Sequence, residues 1–132
     1  MKLEWVRRHC MSMRHATEEV LWGNDLVFKI GGKMFATLVL EAALEPQRVC
    51  LAFKCSPEDF AELVERPNII PAPYSARAQW VALETPDALE RPELQRLLSR
   101  AYALIFAKLP KKTQAELAVL GKRVTQRRVV RS

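Results

Sequence analysis

Apolar residues recur first at helical spacing and then in strand-like runs along the first half of the chain. Positions 3, 6, 10 and 13 are apolar, which predicts an amphipathic helix over residues 2–14. Runs rich in β-branched, aromatic and other apolar residues then predict four strands joined by short turns. These strands cover residues 17–22, 26–30, 33–42 and 48–54.

The second half of the sequence predicts mainly helices. Ser56 is followed by Pro57 and then Asp59, which is typical of an N-cap and the first turn of a helix. Residues 66–76 contain three prolines and no periodic pattern, so they predict a loop, and residues 79–84 predict a fifth strand. The longest helix is predicted to end near Leu109-Pro110, and a short helix over residues 113–120 follows.

The Gly31-Gly32 pair has two interpretations. A phosphate-binding P-loop needs a Lys-Ser or Lys-Thr pair that leads into a helix, whereas Lys33 is followed by apolar residues with no hydroxyl for a magnesium ion. Two adjacent glycines instead supply the positive φ angles of a type I′ turn. We therefore predict a two-residue hairpin with Phe28 opposite Phe35 and Ile30 opposite Lys33.

The predicted order of elements is α-β-β-β-β-α-β-α. Consecutive strands with short turns favour an α+β fold, with a single antiparallel sheet of about five strands and helices on one face. Residues 1–121 are predicted to form one domain, and residues 122–132 a flexible basic tail.

Composition places the chain among ordinary globular proteins. It has 132 residues, of which 49% are hydrophobic and 27% charged. It contains no apolar stretch near the ~20 residues that span a bilayer, and its first residues lack the apolar core of a signal peptide. Three cysteines cannot all pair with one another, so we expect reduced thiols and a cytoplasmic location. We also expect a monomer or a weak homodimer.

Positive charge is concentrated at the C-terminal end of the chain. From Lys108 onward there are eight Lys or Arg residues and one acid, Glu116, whereas the other 107 residues carry 13 basic and 14 acidic groups. The formal charge of +6 therefore arises from this end. A basic end on a nearly neutral domain indicates a polyanionic partner, and it is equally typical of a solvated, solubilising tail.

Catalytic and metal-binding motifs are absent from the sequence, so we expect no enzyme activity, no metal and no cofactor. No nucleophile motif such as Gly-x-Ser-x-Gly occurs. His9, Cys10 and His15 lack the i, i+4 spacing of helical metal ligands. Cys50 and Cys55 have opposite parity on one predicted strand, so we expect them on opposite sides of the sheet, which argues against a shared metal or a redox pair.

Five short motifs occur in order along residues 15–112, and through them the chain resembles the MmcQ/YjbR family. They are Gly-Lys-Met-Phe-Ala at 32–36, Leu-Ala-Phe-Lys-Cys at 51–55, Ile-Ile-Pro-Ala-Pro-Tyr at 69–74, Trp-Val at 80–81 and Leu-Pro-Lys-Lys at 109–112. The resemblance implies a CyaY/frataxin-like α+β fold and DNA binding. Ala101-Tyr102 departs from the family's Ser-Tyr, a difference that bears on packing more than on function.

The iron chemistry of frataxin-like proteins is not expected here. That chemistry uses an acidic ridge on the first helix. The first predicted helix of this chain carries Lys2, Arg7, Arg8 and Arg14 against Glu4 alone.

The predicted function is non-enzymatic binding of DNA through its phosphate backbone. The candidate contacts are Lys33, Lys54, Arg77, Trp80, Lys111, Lys112, Lys122, Arg123, Arg127 and Arg128. For each lysine the alternative is a solvated charge, and for Trp80 it is a residue of the core. The alternative function is a protein-interaction or small-ligand module with a pocket between the sheet and the proline-rich loop.

Overall fold

The computed structural model describes residues 3–21, 25–39, 49–72 and 78–119. Three helices are α1 (Glu4–Met11), α2 (Pro57–Leu63) and α3 (Arg91–Lys108), and residues 111–119 form a fourth, α4. The strands are β1 (Thr17–Leu21), β2 (Asp25–Ile30), β3 (Lys33–Val39), β4 (Leu51–Lys54), β5 (Ile69–Pro71) and β6 (Trp80–Leu83). The predicted tail over residues 122–132 lies outside the described residues, so the domain boundary stays a prediction.

The six described strands form one antiparallel sheet in the order β1-β2-β3-β4-β6-β5. β1, β2 and β3 each pair with the next strand along the chain, as expected for sequential strands of an antiparallel sheet, whereas β4 pairs with β6. The α+β class and the single antiparallel sheet are therefore confirmed.

The predicted loop over residues 66–76 is wrong in part, because it contains β5. Ile69 pairs with Leu83 and Pro71 with Val81, which places β5 at the edge of the sheet. An edge strand tolerates proline because its outward-facing backbone needs no ladder donor. A strand of three residues is too short to show alternation, so only its pairing with β6 identifies it.

The main core lies between the helices and one face of the sheet. Leu94, Leu98 and Ala101 follow each other at helical spacing along α3 and are fully buried. They pack in one cluster with sheet residues such as Phe53 and Val81. A smaller cluster on the other face contains Trp80 and no helical residue of the described ranges. The helices thus pack on one face, as the sequence predicts.

The N-terminus of α2 is capped as predicted. The Ser56 side-chain oxygen accepts a hydrogen bond from the backbone N–H of Asp59 at 3.1 Å. Pro57 occupies the first turn, where its missing N–H leaves no unsatisfied donor.

The hairpin between β2 and β3 has the predicted turn but a different register. Gly31 and Gly32 have φ angles of +60° and +82°, and Ile30 pairs with Lys33. The predicted pairing of Phe28 with Phe35 is wrong, because a bulge shifts the register and Phe28 lies opposite Ala36. The extra residue in β3 lets Phe35 join the buried core, where its ring centroid is 6.3 Å from that of Phe28.

The predicted placement of Cys50 and Cys55 on opposite sides of the sheet is also wrong. Both thiols belong to the core on the helical side. Cys50 precedes the first residue of β4, where strand alternation does not apply, and its Sγ lies 3.3 Å from the carbonyl oxygen of Leu83.

Leu109, just after α3, packs directly on the hairpin turn. A Cβ atom built on Gly31 would lie 2.6 Å from Cδ1 of Leu109, whereas one on Gly32 would have no neighbour within 4 Å. The absence of a side chain at Gly31 therefore allows the end of α3 to approach the turn.

A comparison of Gly31→Ala with Gly32→Ala distinguishes the effect of this close approach on stability from the effect of backbone strain. Both alanines would adopt a positive φ, but only the one at position 31 would overlap Leu109. We expect Gly31→Ala to lower the free energy of unfolding in urea by about 1–2 kcal/mol more than Gly32→Ala does.

The double variant Gly31→Ala with Leu109→Ala tests the cause of that difference. If the overlap is responsible, the two substitutions will destabilise by less than the sum of their separate effects. Equal losses for Gly31→Ala and Gly32→Ala would show that the contact with Leu109 does not limit position 31.

Candidate functional site

Five lysines gather at the end of the molecule where the hairpin meets the junction of α3 and α4. The contact of Leu109 with Gly31 holds that junction against the turn that precedes Lys33. Phe53 pairs with Ala36, so the next residue of β4, Lys54, continues toward the same end of β3. We call this group the lysine end; its members are Lys33, Lys54, Lys108, Lys111 and Lys112.

Lys54 is the buried member of this group. The residue is only 4% exposed, and its ammonium group donates a hydrogen bond to the carbonyl oxygen of Ala78. An ammonium group has three N–H donors, and Ala78 is the one acceptor it has among the described residues. Lys54 is therefore not the open surface contact that the sequence predicts.

Lys108 places a second positive charge beside Lys54. Burial lowers the pKa of the Lys54 ammonium, and the adjacent Lys108 lowers this pKa further. Lys108 itself is exposed. Two neighbouring cations without a counter-ion favour the arrival of an anion.

The described carboxylates form ion pairs with several cations elsewhere but with none of the five lysines. Arg7 pairs with Glu18 at 2.5 Å, Arg100 pairs with Asp59 at 3.1 Å, and Arg66 pairs with two glutamates. In contrast, no carboxylate of the described ranges forms an ion pair with any member of the lysine end. The lysine end is thus a concentration of positive charge that no described carboxylate compensates, a property that single arginines such as Arg14 share elsewhere.

The two helix ends at the junction act differently on the lysines. Lys108 lies in the last turn of α3, where the helix dipole favours a cation. Lys111 and Lys112 lie in the first turn of α4, where the dipole disfavours a cation and attracts an anion. An anion at the start of α4 would therefore interact favourably with both lysines and with the backbone N–H groups.

The predicted contact residues fall into three groups. Lys33, Lys111 and Lys112 are exposed at the lysine end. Trp80 is 8% exposed and belongs to the smaller apolar cluster, in agreement with its alternative interpretation as a core residue. The others lie outside the described residues: Arg77, Lys122, Arg123, Arg127 and Arg128.

Sequence reasoning missed Lys108 as a site residue. It directly precedes the Leu109-Pro110-Lys111-Lys112 motif and begins the basic C-terminal segment of the chain. Its proximity to Lys54 depends on the packing of α3 against β4, which crosses more than 50 residues of sequence.

His9 and the three cysteines occupy structural positions. His9 Nε2 lies 3.0 Å from both the carbonyl oxygen of Gln95 and Oγ of Ser99. Burial raises the pKa of Cys10 and Cys55 to about 12 each and that of Cys50 to about 11, so these thiols are protonated and weakly nucleophilic at neutral pH. Within the described ranges no three His, Cys, Asp or Glu side chains group together as a metal site requires.

Two further expectations concern membrane-spanning helices and the pocket beside the proline-rich loop. No helix in the described part of the chain has the length and apolarity needed to cross a membrane. The predicted pocket lies between the sheet and the proline-rich loop over residues 66–76, of which residues 73–76 lie outside the described residues.

Comparisons with known proteins agree with the fold. The YjbR family model matches residues 11–104. A crystal structure of the Deinococcus radiodurans protein DR2400, with the domain DUF419, is similar with a TM-score of 0.71 and 28% sequence identity. The similarity covers 86% of this chain and 85% of that one. No curated protein matches the chain.

Lys54→Met tests whether burial of the Lys54 ammonium group lowers the stability of the protein. The substitution removes a buried charge and keeps a side chain of similar length, so we expect the free energy of unfolding at pH 7 to rise by about 1 kcal/mol. The exposed Lys33→Met is the control and should change stability by less than about 0.5 kcal/mol.

The pH dependence of that gain follows from the lowered pKa of Lys54. Its destabilising effect is complete below the folded-state pKa and is relieved as the pH rises toward the usual lysine value of 10.5. The advantage of Lys54→Met should therefore shrink between pH 7 and pH 10.5 in urea unfolding. A variant that is less stable than the wild type at both pH values would show that Lys54 is well compensated.

Proposed function

The chain belongs to the YjbR family, and on this premise we propose that it is a non-enzymatic DNA-binding protein that contacts the phosphate backbone through the lysine end. The observation that carries the proposal is the absence of any described carboxylate partner for the five members of the lysine end, two of which, Lys54 and Lys108, are neighbours. Phosphate groups would supply the missing counter-charge.

Mutual repulsion supports an anionic partner. Lys54 and Lys108 are close enough for each charge to affect the other, and the burial of Lys54 reduces solvent screening. A bound phosphate would lower the electrostatic free energy of both groups. Lys54 acts here as a fixed charge behind the surface, whereas Lys108 is exposed and can contact the phosphate directly.

Duplex DNA is the form of nucleic acid that this end suits best. Recognition of single strands depends on exposed aromatic rings on which bases stack. Trp80, the aromatic residue among the predicted contacts, is buried in the smaller apolar cluster and offers no such ring. Lysine contacts to phosphate position a protein on DNA without reading its sequence, so little sequence preference is expected.

The triple variant with alanine at Lys33, Lys111 and Lys112 tests whether the lysine end contacts the phosphates of duplex DNA. These three exposed side chains would each neutralise about one phosphate, so their loss should flatten the log–log salt dependence of duplex binding by up to roughly 2.7 units. Fluorescence anisotropy with two unrelated duplexes between about 50 and 200 mM salt measures this slope. The loss of affinity should be similar for both duplexes.

The control is the double variant Arg8→Ala with Arg96→Ala, which removes two exposed cations of α1 and α3 away from the lysine end. It should leave the slope within about one unit of the wild-type value. Binding that is insensitive to salt, or equal losses in both sets of variants, would refute the proposal for this surface.

Truncation after Gly121 tests the basic tail separately. It removes Lys122, Arg123, Arg127, Arg128 and Arg131, so the salt slope should flatten by up to roughly 4.5 units if all five reach phosphates. Full affinity in the truncated chain would restrict the interface to the lysine end. Complete loss of binding, together with an unchanged slope in the triple lysine variant, would assign binding to the tail instead.

A further inference from the structure

A cleft separate from the lysine end opens where the segment after α1 meets α3 and α4. Its volume is about 170 Å³. Arg14 and His15, between α1 and β1, form one wall; Tyr102 and Phe106 of α3 form the floor; and Leu117 and Ala118 of α4 form the other wall. Phosphate binding at the lysine end does not involve these residues.

The floor of the cleft is held rigidly. The rings of Tyr102 and Phe106 are stacked, with centroids 6.3 Å apart. The Tyr102 hydroxyl donates a hydrogen bond to the carbonyl oxygen of Arg14 at 2.6 Å. Phe35 supports Tyr102 by an edge-to-face contact with centroids 5.6 Å apart. A preformed aromatic floor reduces the entropy lost when a flat apolar group binds.

One wall of the cleft carries a cation without a counter-ion. Arg14 is exposed, and it forms no ion pair with any carboxylate in the described part of the chain. Burial raises the pKa of the Tyr102 hydroxyl and the charge of Arg14 opposes that rise, which places the guanidinium near the hydroxyl. A planar guanidinium suits a carboxylate, which it binds through two parallel hydrogen bonds.

His15 adds two local energetic costs at the same wall. Its backbone has φ of +63°, in the left-handed region that non-glycine residues rarely adopt. Its ring Nε2 is enclosed and has no hydrogen-bond partner among the described residues. Backbone strain and unsatisfied polar atoms concentrate at binding sites, where a ligand or a rearrangement relieves them.

We propose that this cleft binds a small aromatic carboxylate, with its ring between Phe106 and Leu117 and its carboxylate on Arg14. The volume fits this class, since an apolar cavity of about 150 Å³ holds one benzene ring. The carboxylate lies at the mouth of the cleft, where Arg14 is exposed.

Benzoate is the probe, titrated into the isotopically labelled full chain and followed by amide NMR. We expect saturable shifts confined to residues 14–16, 102–106 and 117–118. Benzamide has the same shape without the charge, so it should bind at least about tenfold more weakly, the change that follows loss of a charge-assisted hydrogen bond. Shifts centred on the lysine end, no saturable shift, or equal binding of benzamide would overturn the proposal.

Two pairs of variants locate the site. Ala118→Leu fills the cleft from an exposed helical position, and Ala115→Leu makes the same change on α4 at a residue that does not line the cleft. Ala118→Leu should weaken benzoate binding at least about tenfold and Ala115→Leu less than about twofold. Unaltered binding by Ala118→Leu would overturn the proposal.

The second pair tests the charge. Arg14→Gln should weaken benzoate binding at least about tenfold and leave benzamide binding unchanged, whereas Arg8→Gln, an exposed arginine of α1, should affect neither ligand. If Arg14→Gln and Arg8→Gln lower benzoate affinity equally, the interaction is a general effect of net charge and the proposed site is wrong.

Discussion

The packing of Leu109 against the backbone of Gly31 is the contact on which the arrangement of this protein depends. It joins the C-terminal end of the longest helix to the β2–β3 turn, and it is possible because position 31 has no side chain. The contact places the hairpin lysine, the end of α3 and the start of α4 at one end of the sheet. A side chain at position 31 would overlap Leu109 and disturb this contact.

The distribution of paired and unpaired charge follows from that arrangement. Several arginines form ion pairs with carboxylates, as Arg66 after α2 does with both Glu62 and Glu93. The lysines at the hairpin and the helix junction have no such partners in the described structure. Burial of Lys54 beside Lys108 opposes stability. A residue that destabilises the folded protein in this way is more readily explained by binding than by folding.

Helix α4 contributes to both proposed sites. Its first turn carries two lysines, and its later residues Leu117 and Ala118 line the cleft. Gln114 fixes the helix against α3, because its side-chain amide donates a hydrogen bond to the carbonyl oxygen of Leu109 at 2.8 Å. The position of this short helix therefore sets the geometry of the lysine end and of the cleft together.

The sequence alone determined the features that depend on local conformation. The Ser56 cap, the Gly31-Gly32 turn and the apolar stripe of α3 arise from residues within a few positions of one another, so their patterns are visible in the chain. Tertiary structure alone decided β5, the bulge that buries Phe35, and the burial of Lys54 beside Lys108. Each of these depends on contacts between residues distant in sequence, because strand pairing and desolvation are properties of neighbours in space.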